Sequence, residues 1–301
     1  MAGPHPSLDL EFALNGEPEL GRHNTGAACV CEAAIQSTPN IMHHRLFSFV
    51  VTIAISLSLL SSSRAAEDTR AFELRIYTTN EGKLPDLLKR FREHTCSIFE
   101  KHGMENIGYW VPVDEADGAS NKLIYIIAHK SREAAKASWA AFVSDPEWKE
   151  VAKASEANGK ILAQKPESIF MTATEYSNEI KTGAGDKERV FEMRTYTTNE
   201  GKLDALHARF RDHTMKLFTK HGMTHIGYWV PTDADKGAGS KLIYILAHPS
   251  KEAGLAAFDA FRKDPDWVAA KAESEKNGPL TIADGGVKSV YMKATDFSPI
   301  K

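Results

Sequence analysis

The sequence predicts an α+β fold made of two tandem ferredoxin-like domains, each with the element order βαββαβ and an antiparallel sheet. The first observation behind this prediction is an internal duplication, because AFELRIYTTNE at 71–81 returns as VFEMRTYTTNE at 190–200. The second is that strand and helix patterns follow one another in this order within each copy. Helices cover one face of such a sheet and leave the other face to be buried. We therefore expect two four-stranded sheets packed face to face, within one chain or between chains.

The first hydrophobic segment of the chain is a candidate secretory signal. Leu46 to Leu60 contains no charged residue, but as a helix it would be only about 22 Å long. A bilayer core is about 30 Å thick. A short basic stretch that includes Arg45 precedes the segment, and small residues that include Ala65 follow it. We expect a signal peptide at 42–65, cleavage near Ala65, and export to the periplasm or out of the cell. A buried core helix and an uncleaved anchor are the alternatives.

The residues before this signal have no apolar periodicity. We expect 1–41 to be disordered, or to be a mis-assigned extension that precedes a true start at Met42. Cys29 and Cys31 lie in this extension, so the processed chain would keep only Cys96 and have no internal disulfide. After cleavage the protein would also have no stable membrane anchor.

Charge and cysteine content limit the partners. The chain has 301 residues, with 37 basic and 40 acidic side chains and a formal net charge of −3. This balance lacks the positive field on which non-specific nucleic-acid binding relies, so we expect no nucleic-acid partner. Three cysteines are too few for a disulfide scaffold or a four-thiolate zinc site.

The elements of the first copy follow from its residue pattern. Phe72, Leu74 and Ile76 alternate with polar or aromatic residues, which is typical of a strand with one apolar face. Apolar residues at helical spacing then predict a helix from Leu84 that ends at His102-Gly103. The other predicted elements are strands at Ile107–Val111, Leu123–His129 and Ser168–Thr174, a helix capped by Ser131, and a helix from Asp145-Pro146 to Asn158-Gly159.

The duplication also gives the domain boundaries. The first domain is predicted at 71–176 and the second at 190–298. The segment 177–189 between them is polar and contains Gly183 and Gly185, which is typical of a linker.

Several spaced motifs that occur in both copies carry a resemblance to a known family. In the first copy they read FELRIYTTNEGKL, KHGMENIGYW, KLIYIIAH and SDPEW. With these motifs the sequence resembles the NIPSNAP family of the dimeric α/β-barrel superfamily over 71–298. The resemblance implies a ferredoxin-like domain that pairs into a barrel, and it implies no settled activity. Relatives in the superfamily include cofactor-free monooxygenases and haem-degrading enzymes, which is an analogy at the level of the fold.

The polar face of the strands supplies the candidate ligand-binding residues. If Phe72 and Leu74 face the helices, then Glu73 and Arg75 face the barrel interior, where they could help to orient a small anionic or aromatic ligand. The candidates are Arg75, Tyr77, Tyr125 and His129 in the first copy, and Arg194, Tyr196, Tyr244 and His248 in the second. The alternative is that Glu73 and Arg75 are partners in a structural ion-pair network.

The sequence lacks the spacings of common catalytic and metal-binding motifs. H-x₃-H, H-E-x-x-H, G-x-S-x-G, Walker and G-x-G-x-x-G patterns are missing. We therefore expect no metal site and no cofactor. His102 and His221 each precede a glycine at a predicted helix end, and Cys96 lies within a predicted helix, so we expect structural roles for all three.

These observations favour a non-catalytic protein that binds a small ligand or a partner in or near the barrel. No stabilisation by any small molecule, together with a filled barrel interior, would count against this function. The alternative is a cofactor-independent, monooxygenase-like enzyme that uses His129 and His248, or Tyr77 and Tyr196, as its base. Haem binding is a further alternative. For assembly we expect the two domains to pair within the chain or in a homo-oligomer.

Overall fold

The computed structural model describes residues 68–183 and 188–301. The predicted extension at 1–41 and the predicted signal at 42–65 lie outside the described residues, as does part of the predicted linker. Within the described ranges, no helix is both long enough and apolar enough to cross a membrane.

Each copy contributes four strands to the described part of the chain. The first copy contains β1 (Ala71–Thr78), β2 (Glu105–Pro112), β3 (Lys122–His129) and β4 (Glu167–Ala173). The second copy contains β5 (Val190–Thr197), β6 (Thr224–Pro231), β7 (Lys241–His248) and β8 (Val287–Ala294). The β-branched and aromatic residues that fill these segments favour a pleated, half-buried surface. The four strands predicted for the first copy are confirmed.

Helices connect the strands and lie outside the sheet. In the first copy they are α1 (Leu84–Arg90), α2 (Cys96–Lys101), α3 (Arg132–Ser144) and α4 (Pro146–Ser155). In the second they are α5 (Leu203–Arg209), α6 (Met215–Lys220), α7 (Lys251–Lys263) and α8 (Pro265–Ser274). A π-helical turn, Phe91–Thr95 or Phe210–Thr214, joins the first two helices of each copy. Such turns are rare and occur often at functional sites.

The predicted helix starts are confirmed by their caps. Ser131 Oγ accepts a hydrogen bond from the backbone N–H of Ala134 at 3.1 Å, and Asp145 Oδ1 accepts one from the N–H of Glu147 at 2.8 Å. His102 Nε2 lies 2.7 Å from Asp145 Oδ2, so this histidine ties the end of α2 to the start of α4. The second copy repeats these contacts through Ser250, Asp264 and His221.

The strands form one closed barrel within the chain. Its order is β1-β3-β2-β8-β5-β7-β6-β4, and every neighbouring pair is antiparallel. The two copies meet through β2 with β8 and through β4 with β6. The sequence predicts two sheets packed face to face, and the structure adds hydrogen bonds between their edges. Closure gives every strand of the barrel a neighbour on each side, although the two junctions between the copies pair only short stretches.

Apolar side chains from both copies fill the barrel interior. Phe72 contacts Trp229 at 5.8 Å between ring centroids, and Trp110 contacts Phe191 at 5.7 Å. All four side chains are fully buried. An eight-stranded barrel is just wide enough for side chains to fill it. The interior is therefore a core shared by the two copies, and the prediction of a ligand inside the barrel loses its support.

The direction in which the strand faces point is opposite to the prediction. Phe72 and Leu74 point into the barrel and belong to its interior core, whereas Tyr77 and Tyr125 pack among the helices of the first copy. Glu73 likewise contacts a helix, since it accepts a hydrogen bond from Trp139 of α3. The expectation that the polar face lines the interior is wrong. Alternation in a strand shows which residues share a face, but it does not show what covers that face.

The segment that follows the last strand of each copy lies on the other copy. Tyr176, after β4, contacts the Tyr228 ring of the second copy at 5.8 Å, and Phe297, after β8, contacts the Tyr109 ring of the first at 5.4 Å. Serines one residue further on accept hydrogen bonds from the N–H of these two tyrosines, at 3.1 Å for Ser177 and 2.9 Å for Ser298. We call 174–177 and 295–298 the exchanged tails. Each helix-facing core is therefore completed by the other copy.

Candidate functional site

The predicted ligand-binding residues of the first copy surround a buried carboxylate. Glu73 is 1% exposed, and its oxygens accept hydrogen bonds from Arg75 at 2.6 Å, Ser168 at 2.6 Å and Trp139 at 2.7 Å. His129 Nε2 lies 3.2 Å from Glu73 Oε2. The arrangement is a hydrogen-bonded ion-pair network between the sheet and α3, in which Arg75 Nε and His129 Nδ1 have no partner in the described part of the chain. It corresponds to the structural alternative raised by the sequence.

The environment of Glu73 keeps it ionised. Burial alone would raise the pKa of this carboxyl group, but the charge of Arg75 and the hydrogen bonds from His129 and Ser168 outweigh burial and lower the pKa to about 2. The carboxylate is therefore a fixed negative charge at neutral pH, and the hydrogen-bonding groups around it are held in place.

The second copy repeats this network with one fewer donor. Glu192 accepts hydrogen bonds from Arg194 at 2.6 Å and Ser289 at 2.5 Å, and His248 Nε2 lies 3.1 Å from its Oε2. Phe258 stands where the first copy has Trp139 and packs against the Arg194 guanidinium at 4.3 Å. The indole N–H donor is thereby lost, and a cation–π contact is kept.

The structure brings the predicted residues together within each copy, under its helices. Tyr77 contacts Tyr125 at 5.3 Å, and Tyr196 contacts Tyr244 at 5.6 Å. The two groups do not meet, since each lies under the helices of its own copy. His129 and His248 are both 1% exposed, so a ligand could reach them only if α3 or α7 moved. That these eight residues bind a ligand stays a prediction, and their place in the barrel interior is wrong.

The stability of the protein should fall in acid because of Glu73. A carboxyl group whose pKa is about 2 in the folded protein and near 4.5 in the unfolded chain stabilises the fold above pH 4.5. That stabilisation is lost as the pH falls from about 4.5 towards 2. Urea denaturation at a series of pH values should show this loss, and Glu73→Gln should flatten the curve in that range. An unchanged slope in the variant would contradict the assignment.

A groove on the surface of the second copy is the candidate functional site. It has a volume of about 520 Å³ and lies where the first exchanged tail crosses α5 and the π-helical turn that follows it. Its lining residues are Ala173, Thr174, Glu175, Tyr176, Asp204, His207, Arg211 and Val230. Apolar walls with a few polar groups are the usual composition of a small-molecule site.

A histidine and a tyrosine form the polar centre of this groove. The hydroxyl of Tyr176 and Nδ1 of His207 are 2.8 Å apart. Burial raises the pKa of Tyr176, so the phenol keeps its proton at neutral pH. Burial also lowers the pKa of His207, although the nearby carboxylates of Asp204 and Glu175 oppose this, so the imidazole is neutral. The pair therefore offers hydrogen bonds without a net charge.

The groove has no counterpart of the same chemistry in the first copy. His207 aligns with Leu88, Asp204 with Pro85, and Tyr176 with Phe297. The three polar groups thus arise from differences between two otherwise similar copies. Sequence reasoning missed them because it looked for residues that the copies share. A position-by-position list of apolar-to-polar replacements would have identified them.

The structure also bears on Cys96 and on possible metal ligands. Burial raises the pKa of the Cys96 thiol to about 12, so it is not a reactive thiolate at neutral pH. In 68–183 and 188–301 there is no group of three or more histidine, cysteine, aspartate or glutamate side chains placed to hold a metal ion.

Three solved structures are similar to this chain at low sequence identity. A candidate monooxygenase from Fusobacterium nucleatum is 11% identical, with a TM-score of 0.50 over 75% of this chain and 92% of its own. A candidate monooxygenase from Lactobacillus acidophilus is 16% identical, with a TM-score of 0.47 over 75% of this chain and 94% of its own. A NIPSNAP family protein of unknown function from Agrobacterium tumefaciens is 22% identical, with a TM-score of 0.31 over 36% of this chain and 91% of its own. At these identities the likeness concerns the fold alone.

Sequence comparison with known families gives a sharper result. No curated protein matches the chain. The family model described as NIPSNAP matches twice, over residues 72–178 and 191–299. These ranges take in both barrel halves and begin at the strands that carry the duplicated FELRIYTTNE and FEMRTYTTNE motifs. The chain belongs to the NIPSNAP family and carries two tandem NIPSNAP domains.

Proposed function

We propose that this protein is a non-catalytic binder of a small ligand, which it holds in the groove next to the barrel on the second copy. The observation that carries the proposal is the Tyr176–His207 pair, which stands on an apolar wall where the first copy has only Phe297 and Leu88. A ligand site needs such a combination of apolar contact area and a few oriented polar groups.

The packing of the barrel supports a site beside it over a site within it. Trp110 and Trp229 are fully buried in the interior core, and a ligand there would have to displace them. The groove, in contrast, is open to solvent along exposed side chains such as Asp204 and Glu175. Because the phenol of Tyr176 keeps its proton, it suits hydrogen bonding better than proton abstraction.

The groove residues of the second copy can be exchanged for those of the first. We expect Tyr176→Phe with His207→Leu to abolish retention of any co-purified small molecule, because the polar centre is lost while the packing shape is kept. The variant should fold, since the first copy folds with the same two residues in these places. Native mass spectrometry of the purified protein measures retention.

The matched control is the reverse exchange in the first copy, Phe297→Tyr with Leu88→His. This variant should retain the same small molecule as the unchanged protein does, because Tyr176 and His207 are unaltered. Equal retention by the unchanged protein and by Tyr176→Phe with His207→Leu would place the ligand elsewhere and reject the groove.

A monooxygenase-like activity is the second candidate, and the neutral, solvent-reachable imidazole of His207 favours it. His129 and His248 are each 1% exposed, so a substrate could reach either base only if α3 or α7 moved. His207 could instead accept a proton from a quinol or polyphenol. Oxygen uptake with such substrates that is lost in His207→Leu would support catalysis, and uptake that persists in the variant would exclude this base. A Soret band on haem titration would test haem binding, the remaining alternative.

The proposal also includes a ferredoxin-like fold for each half and export of the chain. The order β4-β1-β3-β2 within the first copy, repeated as β8-β5-β7-β6 in the second, supports a ferredoxin-like unit that pairs within the chain.

The charge-free Leu46–Leu60 segment and the small residues that follow it support a signal peptide. N-terminal sequencing of the exported protein should find a start near Ala66, and a mature protein that begins before Met42 would reject this part.

A further inference from the structure

The positive charge in the groove is already neutralised. The guanidinium of Arg211 donates from Nη1 to Glu175 Oε1 at 2.8 Å, from Nε to Asp212 Oδ1 at 2.9 Å and from Nη2 to Asp212 Oδ2 at 3.3 Å. Two carboxylates thus share one guanidinium. An anionic ligand would find no unpaired cation here and would face an excess of negative charge.

Asp204 adds a carboxylate that no described residue neutralises. Its side chain is exposed at the groove and makes no hydrogen bond or ion pair within 68–183 and 188–301. It lies three residues before His207, so the two side chains share a face of α5. The groove therefore presents a carboxylate and a neutral imidazole side by side.

The acidic residue in the first turn of this helix lies at a different position in each copy. In the first copy the acidic residue of this turn is Asp86, which pairs with Lys83 at 3.0 Å. In the second copy Ala205 takes the position of Asp86, and the acid stands one residue earlier, where the first copy has a proline. Lys202, the counterpart of Lys83, donates instead to the carbonyl oxygen of Asn277 at 3.0 Å. An acid in either place would favour the start of the helix, so helix stability does not explain the shift.

We infer that the groove accepts a small organic ammonium ion, whose charge lies beside Asp204 and whose apolar body lies on Ala173, Val230 and the ring of Tyr176. The inference rests on the proposed ligand-binding function and specifies its ligand class. An ammonium group complements the unpaired carboxylate, and the apolar walls take up the remainder of the molecule. His207 supplies a hydrogen bond to a polar atom on the ligand body.

Isothermal titration calorimetry with three matched probes tests this inference. We expect 2-phenylethylammonium to bind more tightly than the neutral 2-phenylethanol and phenylacetate to bind most weakly. Asp204→Asn should weaken ammonium binding by about twofold to fivefold, since Asp204 is exposed and ion pairs in solvent are screened. Asp86→Asn, in the same helical turn of the first copy, should leave the affinity unchanged. Circular dichroism checks that both variants fold.

The outcomes separate this inference from the function on which it rests. Phenylacetate binding as tightly as 2-phenylethylammonium, or an unchanged ammonium affinity in Asp204→Asn, would overturn the ammonium assignment. A second outcome is that neither charged probe binds, but Tyr176→Phe with His207→Leu loses a molecule that the unchanged protein retains. This outcome would reject the ammonium ligand and support the groove as the binding site. If no molecule is retained and no probe binds, both proposals fall.

Discussion

Replacement of Glu73 by alanine is expected to lower the free energy of unfolding by about 3–5 kcal/mol, because it leaves a buried charge without its partner. The Arg75 side chain is 9% exposed, and Glu73 is its acceptor. The same substitution removes the acceptor of the Trp139 indole N–H and of the Ser168 hydroxyl. Each buried donor left without a partner adds to the cost. Urea denaturation at pH 7, followed by circular dichroism, measures the loss.

The second copy supplies the control for this prediction. Glu192→Ala should cost less, because the Arg194 side chain is 14% exposed and Phe258 has no N–H donor to be left unpaired. A larger loss for Glu192→Ala than for Glu73→Ala would contradict the account. Glu73→Leu combined with Arg75→Met should recover the part of the loss that comes from the buried charge, whereas the cost of the unpaired Trp139 N–H and Ser168 hydroxyl remains.

Replacement of Trp110 by alanine is expected to cost about 3–5 kcal/mol, which is the usual range for loss of a buried tryptophan. Trp110 is fully buried in the barrel interior, where it contacts Phe191 of the other copy. The cavity would lie in the core that joins the two copies. We therefore expect one cooperative transition at lower urea, with no separate unfolding of either half.

The tryptophan explains a glycine two residues earlier on the same strand. A Cβ at Gly108 would lie 2.2 Å from Cη2 of Trp110, well inside van der Waals contact. Gly108→Ala should therefore destabilise the protein by about 1–3 kcal/mol through overpacking. In the Trp110→Ala background the same change should cost almost nothing, because the obstructing ring is gone. Additive effects in this double-mutant cycle would contradict the packing explanation.

Much of the fold could be predicted because it depends on periodicity and repetition. The alternation of Phe72 and Leu74 with polar residues identified β1, and the capping residues Ser131 and Asp145 identified the starts of α3 and α4. The orientation of the sheet faces could not be predicted in this way, because both faces of β1 become buried. Only the closure of β2 on β8 and of β4 on β6 decides that the Phe72 face lies inside.

The candidate groove could not be predicted from the sequence, for a different reason. Tyr176 and His207 lie in different copies and come within 2.8 Å because the exchanged tail crosses from one copy to the other. Nothing in the local pattern around Tyr176 indicates that crossing. The π-helical turn that carries Arg211 is also hidden, because its residues keep ordinary helical spacing in the sequence.

The exchanged tails also constrain the order in which the chain can fold. The first copy needs Phe297 and Ser298 to cover Tyr109, yet these residues are synthesised only after the whole second copy. Until then its aromatic core is open on one side, and the nascent chain must tolerate this exposure or be shielded from it. Such a delay suits a chain that is kept unfolded until late. The export proposed above would meet that condition, because the polypeptide would cross the membrane before its two halves fold together as one unit.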